Sequence, residues 1–281
     1  MSRPRRDTRG CPAQTLAHEY AAHQRRRGHQ IRIRRDPAAP HQDTELIDTS
    51  LGEWIVVATS AEPAPVRAAM DRCDAALAAP GAPGHTHRSI LLPNQPGPGT
   101  IETALNRGFS VLAWRHGDLV VRRSPAALAA LAGDDRLWNE YVSAVVDIDL
   151  PAGCIRITPC PAPNPAVTTP PAGPMHILAV CQPGERPGTD RERLAWRELR
   201  SRLHEHGVPT YPAMGGSPDG EYRELSVAAS GLTDDQARAW GRALGQVAVF
   251  AWHGTQFVLL ASATDRVQRR SYRIGPCPPQ R

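Results

Sequence analysis

FSVLAW at residues 109–114 and VAVFAW at residues 247–252 are apolar runs that each precede a glycine-containing turn and a second strand-like run. The second runs are DLVVRR (118–123) and QFVLLA (256–261). Two runs of this length and composition, joined by a short turn, predict a β-hairpin in each half of the chain. The fold prediction starts from this recurrence.

The segments before the two hairpins also correspond in order. Ile31-Arg32-Ile33 matches Ile155-Arg156-Ile157, and Ile55-Val56-Val57 matches Ile177-Leu178-Ala179. The second half has an additional stretch, YPAMGGSPDGEYRE, which is predicted to be an inserted loop. Ordered matches of this kind predict an internal tandem duplication. The alternative is that two unrelated α/β units share common strand chemistry.

Helical patterns separate the apolar runs in both halves. Residues 64–79 and 190–205 have helical spacing, and Thr233 is placed to cap a third helix that runs to Leu244. Strands and helices that alternate, with hairpins among them, indicate a mixed sheet with helices on one face. The sequence therefore predicts an α+β protein made of two tandem copies of a ferredoxin-like mixed-sheet sandwich unit.

The predicted domain boundaries follow from this pattern. A proline-rich stretch at residues 159–174 is expected to be an extended linker inside the second copy. The segments are, in order, a basic disordered tail (1–13), a degenerate N-terminal α/β copy (14–124), a C-terminal α/β domain (135–262) and a second tail (263–281).

Positive charge is concentrated at the start of the chain. All 33 basic residues are arginine, and ten of them lie in residues 1–35 beside only two acidic residues. Arg25, Arg26 and Arg27 could therefore contact nucleic-acid phosphates without sequence specificity. The alternative is a solvated arm with one charged helix face, because aromatic stacking residues are missing there.

The remaining composition narrows the class of protein. The six cysteines show no CxxC spacing, and His204 and His206 lack a third ligand at metal-binding spacing, so no metal site and no cofactor are predicted. No run approaches the roughly 20 apolar residues of a membrane helix, and the basic start is not followed by a signal-peptide core. The expectation is a cytoplasmic protein with free thiols and no membrane partner.

Four stretches of the second half resemble a known family when they are taken in order. They are LWNEYVSAVVDI (137–148), HILAVCQPGERP (176–187), GGSPDGEYRELSVAASGL (215–232) and LGQVAVF (244–250). On these stretches, residues 137–262 resemble the bacterial family named domain of unknown function 3293. The resemblance implies a bacterial protein and carries no established activity. Where the family has an Asn-Pro pair, this chain has Gln182, so a role that needs the asparagine amide does not transfer.

One polar set stands out within the resembling region. Alternation along residues 222–229 places Leu225, Val227 and Ala229 on one face of a strand and Glu224 with Ser226 on the other. Gln182 and Gln246 lie at the ends of neighbouring strands. A carboxylate, a hydroxyl and two amides can bind a polar ligand. The alternative is a satisfied polar network that fixes the inserted loop.

Three functions remain open on the sequence alone. The first is a non-catalytic binding or interaction module whose partner is a small polar ligand or a protein. The second is an enzyme that acts on a small polar substrate, with Glu224 as a base if its pKa is raised. The third is a nucleic-acid-associated protein that uses the basic N-terminal arm. The sequence does not decide whether the protein is an enzyme.

Overall fold

The computed structural model describes residues 12–26, 28–35, 44–49, 52–78, 87–115, 118–160, 170, 173–182, 185 and 187–277. The chain divides into two compact units, Met1–Val120 and Val121–Arg281. Residues 1–11 of the predicted basic tail, Arg27 and most of the proline-rich linker lie outside the described residues. Helices and two β-sheets occur together, which confirms the predicted mixed α+β class.

The first unit is built on a six-stranded sheet with the sequential order β1-β2-β3-β4-β5-β6. The strands β1, β2 and β3 are antiparallel, whereas β3, β4 and β5 pair in parallel because α2 and α3 cross over between them. The elements are α1 (Pro12–Arg25), β1 (Ile31–Arg35), β2 (Thr44–Asp48), β3 (Glu53–Val57), α2 (Pro63–Ala78), β4 (His87–Leu92), α3 (Pro98–Asn106), β5 (Phe109–Arg115) and β6 (Asp118–Arg122).

One apolar cluster joins the central strands β3, β4 and β5 to the crossover helices α2 and α3. Met70 of α2 packs with Trp54, Ile90 and Phe109 from three neighbouring strands, and all four are fully buried. β3 is buried on both faces and is a nearly continuous apolar run after Glu53, whereas β4 begins with His87, Arg88 and Ser89 before its apolar residues.

The second unit contains a nine-stranded sheet with the order β14-β13-β12-β9-β11-β10-β7-β8-β15, and every neighbouring pair is antiparallel. Its elements are α4 (Pro125–Gly133), α5 (Asp135–Ser143), β7 (Val145–Leu150), β8 (Gly153–Pro159), β9 (Met175–Ala179), α6 (Asp190–Glu205), β10 (Thr210–Gly216), β11 (Arg223–Ser230), α7 (Asp234–Leu244), β12 (Ala248–His253), β13 (Gln256–Ala261), β14 (Val267–Arg270) and β15 (Tyr272–Pro276).

This second sheet curls until its two edges approach each other. Nine strands laid flat would separate the edge strands by roughly 38 Å. The edge strands β14 and β15 are joined through Ser271 alone, and each residue spans only about 3.8 Å. The curled sheet encloses an apolar cluster that includes Ile148, Ile177, Trp252 and Tyr272.

The outer face of the curled sheet carries α6 and α7. Leu199 and Leu203 of α6 pack on strand residues that include Leu178 and Val227. β11 therefore contributes alternate residues to two cores: Val227 and Ala229 face the helices, and Ala228 faces the interior. The predicted alternation of β11 is confirmed, and the face predicted to be a polar groove is the interior of the curled sheet.

The two units have different topologies. In the second unit β9, α6, β10, β11, α7 and β12 follow a β-α-β-β-α-β order, and their strands lie in the order 12-9-11-10. That is the split β-α-β arrangement. The first sheet is instead sequential and partly parallel. Two tandem ferredoxin-like copies, and the internal duplication itself, are therefore not confirmed.

Two further sequence predictions are corrected. Residues 263–281, predicted to be a tail, contain β14 and β15, and Tyr272 is buried where it accepts a hydrogen bond from Trp252 Nε1 at 2.7 Å. Cys154 and Cys277, expected as free thiols, form a disulfide with their Cα atoms 5.5 Å apart. Their separation of 123 residues gives no local spacing by which the sequence could have paired them.

Candidate functional site

The candidate site lies on the interior face of β11. Glu224 is paired with Gly215 of β10, and Ser226 is paired with Ala213. A Cβ atom on Gly215 would lie 3.5 Å from Glu224 Oε1 and 3.6 Å from Ser226 Oγ. The missing side chain therefore leaves room beside both polar groups, and the structure brings these two predicted residues together.

Glu224 is half-buried and holds its carboxyl group in surroundings that disfavour charge. Burial raises its pKa from 4.5 to about 7, although the Tyr222 hydroxyl, which donates to Glu224 Oε2 at 2.8 Å, acts in the opposite direction. The carboxylates of Glu192 and Glu185 raise the pKa further by repulsion. Near neutral pH, Glu224 is therefore present in both protonated and ionised forms.

The two neighbouring carboxylates are fixed in place by the backbone. Glu192, on the first turn of α6, accepts hydrogen bonds from Leu225 N at 2.7 Å and from Gly188 N at 2.6 Å. Glu185 accepts from Gln182 N at 3.1 Å and forms an ion pair with Arg191. Both glutamates are buried, so they act on Glu224 as fixed charges and do not move to solvent.

Ser226 presents a polar group that the fold leaves unsatisfied. Its side chain is buried, and its Oγ has no hydrogen-bond partner among the described residues. Its backbone carbonyl is held separately by Trp196 Nε1 at 2.7 Å. A buried hydroxyl without a partner costs about 1–3 kcal/mol, and a bound polar group would relieve that cost.

Cys181 and Tyr141 complete the set, and the sequence analysis did not select them. Burial of Cys181, with the charge of Glu224, raises the pKa of its thiol, although the nearby Tyr222 hydroxyl acts in the opposite direction. Burial and the charge of Glu224 also raise the pKa of Tyr141. Only the pairing of β9 with β11 and the packing of α5 place these residues near Glu224, so no local sequence signal could have found them. The Glu224 cluster is defined here as Tyr141, Cys181, Gly215, Tyr222, Glu224 and Ser226.

Gln182 lies against a different element. Its buried side-chain amide packs directly on Gly245, the left-handed residue that ends α7. Gln246 follows Gly245 and is also buried, and the Oε1 atoms of both glutamines lack hydrogen-bond partners among the described residues. The four residues predicted from sequence thus form two pairs, one beside Gly215 and one beside Gly245.

The predicted nucleic-acid residues are only partly described. Arg25 donates from its guanidinium to Ile31 O at 2.6 Å, which ties the end of α1 to β1. Arg26 is exposed, and Arg27 lies outside the described residues. The nucleic-acid hypothesis stays a prediction. None of the helices in the described part of the chain combines the length and apolar composition that crossing a lipid bilayer requires.

The Glu224 cluster can bind and can exchange protons. Protonated Glu224 donates a hydrogen bond, whereas its ionised form accepts hydrogen bonds and attracts a cation. The tyrosine, serine and thiol groups add further donors and acceptors around the space beside Gly215. Raised thiol and phenol pKa values keep Cys181 and Tyr141 protonated, so neither is a ready nucleophile at neutral pH.

Comparison with models of protein families gives a match in the C-terminal part of the chain. No curated protein and no solved structure matches the chain. The matching segment runs from the residue after Gln182 through α6, β10, β11 and α7 into β12 and includes Glu224, Ser226 and Gln246. The family resemblance drawn from the sequence is confirmed: residues 183–249 match the model of the family described as "Protein of unknown function (DUF3293)".

Proposed function

We propose that the second unit is a binding module for a small polar ligand, which it holds at the Glu224 cluster. The observation that carries this proposal is the half-buried Glu224 carboxyl, with a pKa of about 7, beside the unsatisfied hydroxyl of Ser226. A fold gains no stability from either feature. Both groups become favourable only when a polar group occupies the space beside Gly215.

Charge indicates which kind of ligand the cluster favours. The fixed carboxylates of Glu185 and Glu192 disfavour a negative charge on Glu224. An ammonium group would offset that repulsion. The preferred ligand therefore carries an amine or another strong hydrogen-bond donor, and its binding strengthens as the pH rises through about 7 and Glu224 ionises.

Three probes of equal chain length test this preference. Butylamine, butanamide and butyrate differ in charge and hardly in size, and their binding to the full chain can be followed by ligand-observed NMR. We expect butylamine to bind best and butyrate worst. Glu224→Gln should abolish the preference, whereas Glu221→Gln, a change at an exposed glutamate in the same segment, should keep it. Strongest binding of butyrate, or butylamine binding that is unchanged in E224Q, would contradict the proposal.

A general acid–base enzyme is the second candidate, and the same pKa favours it. Catalysis by proton transfer is most efficient when the pKa of the group lies near the working pH, and Glu224 meets that condition. An activity screen on small polar substrates would support an enzyme if turnover follows an apparent pKa near 7, disappears in E224Q and survives in E221Q. Ligand binding without turnover would support the binding module.

A further inference from the structure

A second polar cluster lies at the opposite end of β9 from the Glu224 cluster. His176 is near the start of β9, whereas Cys181 follows its end, and five residues of extended chain separate them by about 16 Å. His176 is paired with Ala251 of β12, and the strand ends at His253. Asp234 begins α7 on the outer face of the sheet. Three elements therefore bring these two histidines and one aspartate together.

The ligand atoms of the three residues already converge. His176 Nε2 lies 2.9 Å from Asp234 Oδ1, and His253 Nε2 lies 2.8 Å from the same oxygen. All three atoms fall within 4.8 Å of one another. The imidazole rings are 5.3 Å apart and close to perpendicular, so both nitrogens face the carboxylate from different sides.

Each ligand is held by regular structure. The capping box of α7 fixes the helix start at Asp234, because the Thr233 side chain accepts from Gln236 N at 3.2 Å and Gln236 Oε1 accepts from Thr233 N at 2.9 Å. His176 lies inside the sheet between β11 and β12. A site on such elements keeps its geometry when a ligand leaves.

His176 is hard to explain as a purely structural residue. Its side chain is fully buried, its Nε2 contacts Asp234, and its Nδ1 has no hydrogen-bond partner among the described residues. One hydrogen bond does not offset the burial of a whole imidazole in an apolar sheet. Asp234 and His253, in contrast, are 45% and 32% exposed, so one side of the cluster opens to solvent.

We propose that His176, Asp234 and His253 bind a divalent transition-metal ion, with Zn²⁺ as the best fit. Zinc binds imidazole nitrogen and carboxylate oxygen at about 2.0–2.2 Å, which places tetrahedral ligand atoms roughly 3.4 Å apart. The observed separations of 2.8 and 2.9 Å need to widen by only about half an ångström. Two nitrogen ligands disfavour Mg²⁺ and Ca²⁺, which select oxygen. The exposed side leaves a fourth position for water, as in zinc sites that activate a substrate.

Metal content of the full untagged chain tests the site. After incubation with Zn²⁺ and dialysis, we expect one equivalent of zinc per chain by elemental analysis, with no comparable retention of Mg²⁺ or Ca²⁺. Substituted Co²⁺ should give visible bands of nitrogen and oxygen coordination without a thiolate charge-transfer band, which separates this site from the cysteines. Zinc should also raise the melting temperature of the protein.

Variants of the proposed ligands test whether these residues bind the zinc ion. His253→Ala and Asp234→Asn should each weaken zinc binding by more than about tenfold, and both should lose the thermal shift. Asp234→Asn keeps an oxygen that the histidines can donate to, so its fold is preserved for the comparison. His204→Ala, a change at an exposed histidine of α6, should bind zinc like the wild type. A wild-type chain that retains no zinc, or a folded D234N that retains it fully, would overturn the assignment.

Discussion

The raised pKa of Glu224 makes the free energy of unfolding depend on pH. The folded chain keeps the Glu224 proton up to about pH 7, whereas an ordinary glutamate loses it near pH 4.5. Between these two values the folded state binds more protons than the unfolded state, so the free energy of unfolding falls as the pH rises. Above pH 7 the full cost of the buried charge is present.

Glu224→Gln should therefore stabilise the protein in a pH-dependent way. The amide carries no charge at any pH, and its oxygen can still accept the hydrogen bond from Tyr222. We expect similar stability of both proteins near pH 4.5, and a more stable variant above about pH 7, by at most about 3 kcal/mol. Urea denaturation at about pH 5 and about pH 8 measures the difference.

The matched control for this experiment is Glu221→Gln. Glu221 is exposed and precedes Tyr222 in the same turn, so its replacement should leave the pH dependence of unfolding unchanged. If E224Q followed the wild type across the whole pH range, Glu224 would have an ordinary pKa, and both functional candidates at this residue would lose their main support.

The sequence could predict only part of this site. Strand alternation placed Glu224 and Ser226 on one face, because period-two spacing is a local property of the chain. Strand alternation could not predict where the Gln182 side chain packs, because Gln182 lies beyond the end of β9 and contacts the end of α7. Tyr141 and Cys181 join the cluster through long-range packing and strand register, which no local pattern encodes.

At the scale of elements, β10 is a strand that the sequence analysis did not predict. The spacing between matching segments of the two halves predicts an inserted loop over residues 211–224, and Pro212, Gly215 and Gly216 are poor strand formers. That prediction is wrong, because residues 210–216 pair with β11 and residues 213–216 also pair with β7. The glycines instead permit close approach: Gly215 faces the Glu224 carboxyl, and Gly216 packs against the backbone of β11.

Alanine substitutions at these two adjacent glycines should affect stability very differently. A Cβ on Gly216 would overlap the carbonyl oxygen of Tyr222, which cannot move without disturbing the turn that Ser217 N closes at 3.0 Å. A Cβ on Gly215 would meet only ordinary contacts of 3.5–3.6 Å. We expect Gly216→Ala to destabilise the protein by about 1–3 kcal/mol, and Gly215→Ala to change stability by less than about 1 kcal/mol.

Urea denaturation of the two alanine variants, side by side, checks the contrast. Butylamine binding adds a second measurement, since the methyl group of G215A fills the space beside Glu224 and Ser226 and should weaken binding without unfolding the protein. Equal stability of the two variants would contradict this prediction. It would show that the backbone around Gly216 can accommodate a methyl group.

At the scale of the whole molecule, similar apolar segments form strands with different pairing in the two units. FSVLAW and VAVFAW both form buried strands, yet β5 has a parallel neighbour in β4, whereas β12 lies between two antiparallel neighbours. Burial selects the same residue types in both cases. Local pattern therefore predicted the class of the elements, and the order of strands in each sheet depended on pairings between distant residues.

The C-terminal strand β15 is the part of the second unit that closes its sheet. It pairs with β8 along five residue positions, and the Cys154–Cys277 disulfide fastens its end. A cross-link over 123 residues restricts the unfolded chain strongly, and such bonds contribute about 2–4 kcal/mol to stability. At about 2–4 °C for each kcal/mol in a unit of this size, its loss is easily measured by thermal unfolding.

Reduction of the disulfide should therefore lower the melting temperature by roughly 4–16 °C. The double variant Cys154→Ser with Cys277→Ser should melt at the temperature of the reduced wild type and should no longer respond to dithiothreitol. Cys160→Ser, a change at a cysteine just after β8 that lies outside this disulfide, should keep the full response. Mass spectrometry that finds Cys154 and Cys277 as free thiols in protein purified without reductant would contradict the bond and restore the sequence expectation of free thiols. In that case β15 would be held by its backbone pairing with β8 and by the buried Tyr272.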